Sequence, residues 1–91
     1  MKIKVRAQEP LRKLLDNETV VEVSGTTVLE VITILQARYP RFVERLLERD
    51  GSVRRFVNVY VNEEDIRFLQ NQQTTLRDGD EVRIIPSIAG G

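Results

Sequence analysis

At 91 residues the chain is sized for one domain with a single modest core. Its 41% hydrophobic and 31% charged residues are an ordinary globular composition, which excludes disordered and fibrous classes. Fourteen basic residues balance fourteen acidic ones, so the strong basic field of a nucleic-acid binder is missing, and no apolar run is long enough to span a membrane. Neither nucleic acid nor membrane is expected as a partner.

The absence of Cys and His removes the thiol nucleophile, the usual general base near neutral pH and the commonest metal ligands. No Gly-rich phosphate loop is present. The chain is therefore not expected to be an enzyme in its own right or to bind a metal or cofactor. Lys2, Lys4 and Arg6 interrupt the N-terminal hydrophobics, which is unlike a secretory leader and makes the cytoplasm the default compartment.

No linker, repeat or low-complexity tract divides the chain, which predicts one domain over residues 1–91. In KIKVRA, Ile3, Val5 and Ala7 alternate with charged residues, the pattern of a half-buried strand. EPLRKLLD reads as a turn or short helix. TVVEVSG is a second strand, with Val21 and Val23 on one face and Ser24-Gly25 closing it, suited to pairing with the first. Thr27 and Glu30 fit a capping box, and Val28, Val31, Ile32, Leu35 and Tyr39 share one helical face until Pro40 stops the helix. RFVERLLERDG predicts a second helical stretch with Phe42, Leu46 and Leu47 on one side, ending at Gly51.

RFVNVYVN is the strongest strand and is expected at the centre of the sheet. Val57, Val59 and Val61 point one way, and Phe56, Asn58, Tyr60 and Asn62 the other. Phe56 and Tyr60 are expected to pack under a loop rather than form an exposed patch. Glu63, Glu64 and Asp65 read as a solvated acidic turn rather than a catalytic or metal-binding cluster. After the polar NQQTTL, RDGDEVRIIP supplies a turn at Asp78-Gly79 and a last strand in which Val82 and Ile84 alternate with Glu81 and Arg83, ended by Pro86. This order of elements predicts an α+β roll rather than alternating βαβ units.

Strand, strand, helix, strand, strand with a free Gly-Gly end resembles the ubiquitin-like β-grasp fold, a mixed sheet packed on one main helix. LRDGDEVRIIPSIAGG is similar to the C-terminus of the MoaD/ThiS family of sulfur carriers: a turn at Asp78 to Val82, a proline at Pro86, and Gly90-Gly91 at the end. Arg55 to Phe68 is most similar to the cysteine-biosynthesis carriers of that family. EPLRKLLD offers nothing that separates this branch from the small subunit of molybdopterin synthase.

The resemblance implies a folded body over residues 1–85 and a mobile tail over 86–91. It implies that the Gly91 carboxylate is adenylated by an E1-like enzyme using ATP and then becomes a thiocarboxylate. A carboxylate with a pKa of roughly 3.5 is an anion at neutral pH and a poor electrophile, so it needs this activation. Pro86, Ser87, Ile88, Ala89 and Gly90 are the implied partner contacts. Six residues from Pro86 reach at most about 20 Å at ~3.3–3.6 Å each, and glycines without side chains fit a narrow channel. Downstream, the resemblance implies a pyridoxal-phosphate cysteine synthase and a metalloprotease that releases cysteine from the carrier. Alternatives are delivery to a pterin precursor through the molybdopterin synthase large subunit, isopeptide conjugation of Gly91 to a target lysine, and a binding module with an inert tail. The chain's own lysines, Lys2, Lys4 and Lys13, limit chain building.

Overall fold

The computed structural model describes residues 2–86. In chain order they form β1 (Lys2–Ala7), a 3-10 helix (Leu11–Leu15), β2 (Val21–Ser24), α1 (Val28–Arg38), α2 (Pro40–Leu46), β3 (Val57–Val61), β4 (Glu64–Asp65), two further 3-10 turns (Ile66–Phe68 and Asn71–Gln73) and β5 (Glu81–Pro86). The sheet order is β2-β1-β5-β3-β4. β1 runs parallel to β5, and the other neighbours are antiparallel.

Alternation in the sequence becomes alternation in burial. Ile3, Val5 and Ala7 of β1, Val57, Val59 and Val61 of β3, and Val82 and Ile84 of β5 face one core with Val28, Val31, Ile32 and Leu35 of α1 and Phe42, Val43 and Leu46 of α2. The opposite face of the sheet is charged: Lys4 lies between Glu22 and Glu81, and Arg6 beside Arg83. Arg6 Nε donates to Glu81 at 2.6 Å.

The start of α1 is fixed as its residues predict, with one change of partner. Thr27 Oγ1 accepts from the Glu30 N–H at 3.2 Å, but the Glu30 carboxylate reaches back to Thr26, accepting from its N–H at 2.8 Å and its hydroxyl at 2.9 Å. These bonds hold the Glu30 pKa below the ordinary value, the Thr26 N–H contributing most. Gly25 is needed where the chain enters the helix, because a Cβ there would lie 2.9 Å from Val31 Cγ2 and 3.3 Å from its backbone nitrogen. Pro40 both ends α1 and opens α2, its missing N–H costing nothing at a first helical position.

Three expectations are corrected. α2 stops at Leu46, five residues before Gly51. Leu47 is extended and bridges Val53, and Gly51, at φ +90°, makes the tight loop between them, with Glu48 N–H bonded to Ser52 O at 2.7 Å. β5, not β3, is the central strand, because beyond β3 lies only the two-residue β4. The consecutive Ile84 and Ile85 carry that information: Ile84 is buried on the core face and Ile85 half-buried on the other. β5 also includes Pro86, one residue past the expected end of the body, with Pro86 opposite Val57.

The polar NQQTTL segment has a structural task. Thr74 is buried, its carbonyl accepts the Val28 N–H at 3.1 Å, and Leu76 N–H bonds Thr26 O at 2.8 Å, so the loop completes the N-terminus of α1.

Candidate functional site

The residues expected to carry function, Gly91 with Ser87, Ile88, Ala89 and Gly90, lie outside the described residues. Pro86 is described, and it shows where β5 delivers the chain. β5 is bonded on one side to β1 and on the other to β3, so its end is held by both neighbours: Pro86 sits opposite Val57, and the Gln8 N–H reaches Ile84 O at 3.1 Å. The position from which residue 87 departs is therefore set by the sheet.

Around this point a shallow groove joins Pro86 to Pro10 and Leu11 after β1, Arg45 of α2, and Arg54 and Phe56 before β3. Phe56 is 49% exposed, which corrects the expectation that it packs under a loop. Tyr60 is half-buried. Arg54 is fixed in the groove wall by bonds from its guanidinium to Glu44 O and by an ion pair with Glu48 at 3.3 Å. Arg45 and Arg55 are exposed. An exposed apolar ring beside the charged side chains of Arg45 and Glu44, which also lines the groove, is a surface that a second protein can grip.

The acidic turn behaves differently from the expectation. Glu63 and Glu64 are exposed, but the Asp65 side chain is only 10% exposed. Arg67 donates to it through Nη2 at 2.7 Å, and the Arg67 N–H does so at 2.9 Å. These bonds, led by the guanidinium, hold Asp65 below the usual carboxylate range. Arg67 also reaches Asn58 Oδ1 at 2.5 Å, tying the turn to β3. Sequence reasoning misses this network, although Asp-x-Arg directly after a strand is its signal. Among the described residues no cluster of three acidic groups is placed to hold a metal ion, and no helix is long and apolar enough to cross a membrane.

The sequence profile of the ThiS family matches residues 6–91, and the chain belongs to that family. It is 41% identical to the sulfur carrier protein CysO of Mycobacterium tuberculosis, with both chains covered completely. A crystal structure of the Amycolatopsis orientalis BexX/CysO complex contains a chain that superposes with a TM-score of 0.88 at 38% identity, covering 98% of this chain and 99% of that one. The fold is accordingly the ubiquitin-like β-grasp. A molybdopterin synthase sulfur carrier subunit of M. tuberculosis is 40% identical over 68 residues, covering 75% of this chain and 68% of its own length.

Proposed function

We propose that the protein is a sulfur carrier for cysteine biosynthesis, adenylated and then thiocarboxylated at Gly91. The observation that supports this most is the end-to-end likeness to CysO, with the family match running through Gly91. The carrier role lies in presenting one carboxylate, so the chemistry belongs to partners. An E1-like enzyme joins the Gly91 carboxylate to the α-phosphate of ATP, with pyrophosphate leaving. The carbonyl carbon of the acyl-adenylate is then attacked by a sulfur nucleophile such as hydrosulfide. The new C–S bond forms as the C–O bond to AMP breaks, leaving a thiocarboxylate.

This chain's part is placement. Pro86 lacks an N–H and fixes its own φ, so it cannot donate to the β5 ladder. The groove at Phe56, Arg45 and Pro86 holds the body against the partner while residues 87–91 reach its site. A cysteine synthase using an activated serine is the proposed receiver, and a metalloprotease then frees cysteine. A second reading, delivery to a pterin precursor with the molybdopterin synthase large subunit, draws on the shorter match to the M. tuberculosis carrier subunit.

Mass spectrometry tests the proposal. With an E1-like enzyme, ATP and sulfide, the intact protein gains the mass of sulfur for oxygen, localised to Gly91. The thiocarboxylate form then acquires cysteine when given the synthase and activated serine. No acyl-adenylate with any E1-like enzyme of the same cell would sink the carrier reading, and transfer only to a pterin precursor would select the second.

A further inference from the structure

Phe56 is held from outside the strand it precedes. The Val57 N–H donates to the Arg54 carbonyl at 3.0 Å, so Arg54 to Val57 form a β-turn with Arg55 and Phe56 at its two central positions. Such a turn aims what it carries only if both of its ends are fastened. At the far end Val57 enters β3 opposite Pro86. At the near end the fastening falls to Arg54.

α2 stops at Leu46 with an extended residue behind it, and the bonds that another helical turn would make are redirected. The Glu48 N–H, which would reach Glu44 O in a continuing helix, goes to Ser52 O at 2.7 Å instead. Arg54 takes its place. Nε and Nη2 of its guanidinium donate to Glu44 O at 3.3 and 3.1 Å, and its N–H donates to Leu46 O at 2.9 Å. A basic side chain on the last carbonyls is a favourable way to finish a helix. The ion pair with Glu48 at 3.3 Å adds little, since the two side chains are 43% and 48% exposed. These bonds join the two walls of the groove at Pro86: Glu44 and Arg45 stand on α2, and Phe56 on the turn.

We propose that Arg54 is a positioning residue: it fixes the Arg55–Phe56 turn to the end of α2 and so holds the Phe56 ring where the E1-like enzyme meets the carrier. The proposal rests on the reading of this groove as the docking surface. Arg54 is already bonded to its own chain through both guanidinium and main chain, so it acts through Phe56, which has no such commitment. Without the anchor the turn carries the same ring over a range of directions, and part of the binding free energy goes into ordering it. The effect falls on binding and leaves the chemistry proposed at Gly91 alone.

Two measurements on the full-length protein test this, one without the enzyme and one with it. In ¹⁵N relaxation the amides of Arg55 and Phe56 should be as ordered as β3, with order parameters of about 0.85, and should fall below about 0.6 in Arg54→Met. Glu48→Gln, which breaks only the ion pair, should leave them unchanged. Arg54→Lys keeps the stem and the charge but loses the two-pronged grip on one carbonyl, and should show the same loss in smaller degree. In adenylation by the E1-like enzyme, Arg54→Met should raise KM about fivefold with kcat unchanged, the signature of lost binding. On a Phe56→Ser background the same substitution should add nothing, because the ring it positions is gone. A turn that is mobile in the wild type, stays ordered in Arg54→Met, or loosens equally in Glu48→Gln would overturn the anchoring. A KM effect that persists in full on the Phe56→Ser background would overturn the positioning in favour of direct contact between Arg54 and the enzyme. If the wild type is not adenylated at all, the carrier reading fails, and the relaxation measurement still decides the anchoring.

Discussion

Where β5 begins, polar groups are matched to one another; where it ends, at Pro86, apolar and cationic groups are left facing outward. At the beginning, Asp80 accepts from the Arg77 N–H at 2.8 Å and the Asn62 amide at 3.1 Å, and Asp78 accepts from the Lys2 N–H at 2.7 Å. Gly79, at φ +88°, allows the tight turn these bonds require. At the far end, Phe56 is half exposed and Arg45 is exposed beside Pro86. One end has its hydrogen-bonding capacity committed to fixing a turn. The other keeps its side chains available to a second protein. Substitutions at the first should therefore act on stability, and those at the second on encounter with the partner.

The largest effect should come from the tail itself. Deleting Gly90 and Gly91 should reduce adenylation by the E1-like enzyme to background while the melting temperature stays nearly constant, because two glycines carry no side chain to bury. A marked fall in melting temperature would place the glycines in packed structure and break the contrast.

Next is the core that both ends share. Leu35 is fully buried on α1, and Leu35→Ala should cost about 2–5 kcal/mol in denaturant unfolding, from lost burial plus the cavity left behind. A loss of only ~0.5 kcal/mol is a surface value and would contradict the packing.

The core is legible in the sequence because periodicity fixes it: of the apolar residues assigned to an inward face of β1, α1 or β5, all but Tyr39 are buried, and Tyr39, the C-cap of α1, is half-buried against the same core. Neighbour order and loop docking are not carried by that periodicity. Val57, Val59 and Val61 report a buried face and nothing about which strand lies beside them, so β3 reads as central when β5 is. Gly51 is equally suited to end a helix and to make a tight loop, and only the Leu47–Val53 bridge decides between them. Asp65 reads as solvated because its partner, Arg67, approaches through a turn that composition does not predict. Of the site, Pro86 is legible in place; the exposure of Phe56 is not, since an aromatic next to a strand reads the same whether covered or bare.

At the closed end, Asp80→Ala should cost about 1–2 kcal/mol, the worth of two modest hydrogen bonds at a partly exposed site, and should leave the adenylation rate of the folded protein unchanged. A change in that rate without loss of stability would show that the two ends are not independent.

The Asp65–Arg67 pair gives a smaller, pH-dependent effect. The Asp65 pKa is depressed in the folded protein, so its contribution is present above the unfolded value of roughly 3.9 and is lost as pH falls through the folded value. Because the Arg67 side chain is 57% exposed, screening limits the contribution to about 0.5–1 kcal/mol. Chemical denaturation from pH 6 down to about pH 2 should show the wild type losing this increment while Asp65→Asn does not. Parallel curves would mean the pair contributes nothing to folding.

The smallest effect on stability is expected at Phe56, and it is the sharpest test of the comparison. With half its surface in solvent, Phe56→Ser should change unfolding free energy by no more than ~0.5 kcal/mol. Its loss should nevertheless raise KM for the E1-like enzyme, because the ring lies in the groove with Pro86 and an apolar anchor at the root of the tail is removed. Phe68 provides the control. It is more exposed still, at 86%, but sits on the 3-10 turn after β4 and outside that groove. Phe68→Ser should leave both stability and KM alone. If the two substitutions raise KM equally, exposed aromatic surface in general is what the enzyme senses, and the groove at Pro86 has no special place in docking. If only Phe56→Ser does so, with stability intact, recognition is localised to the groove at Pro86, the end of β5.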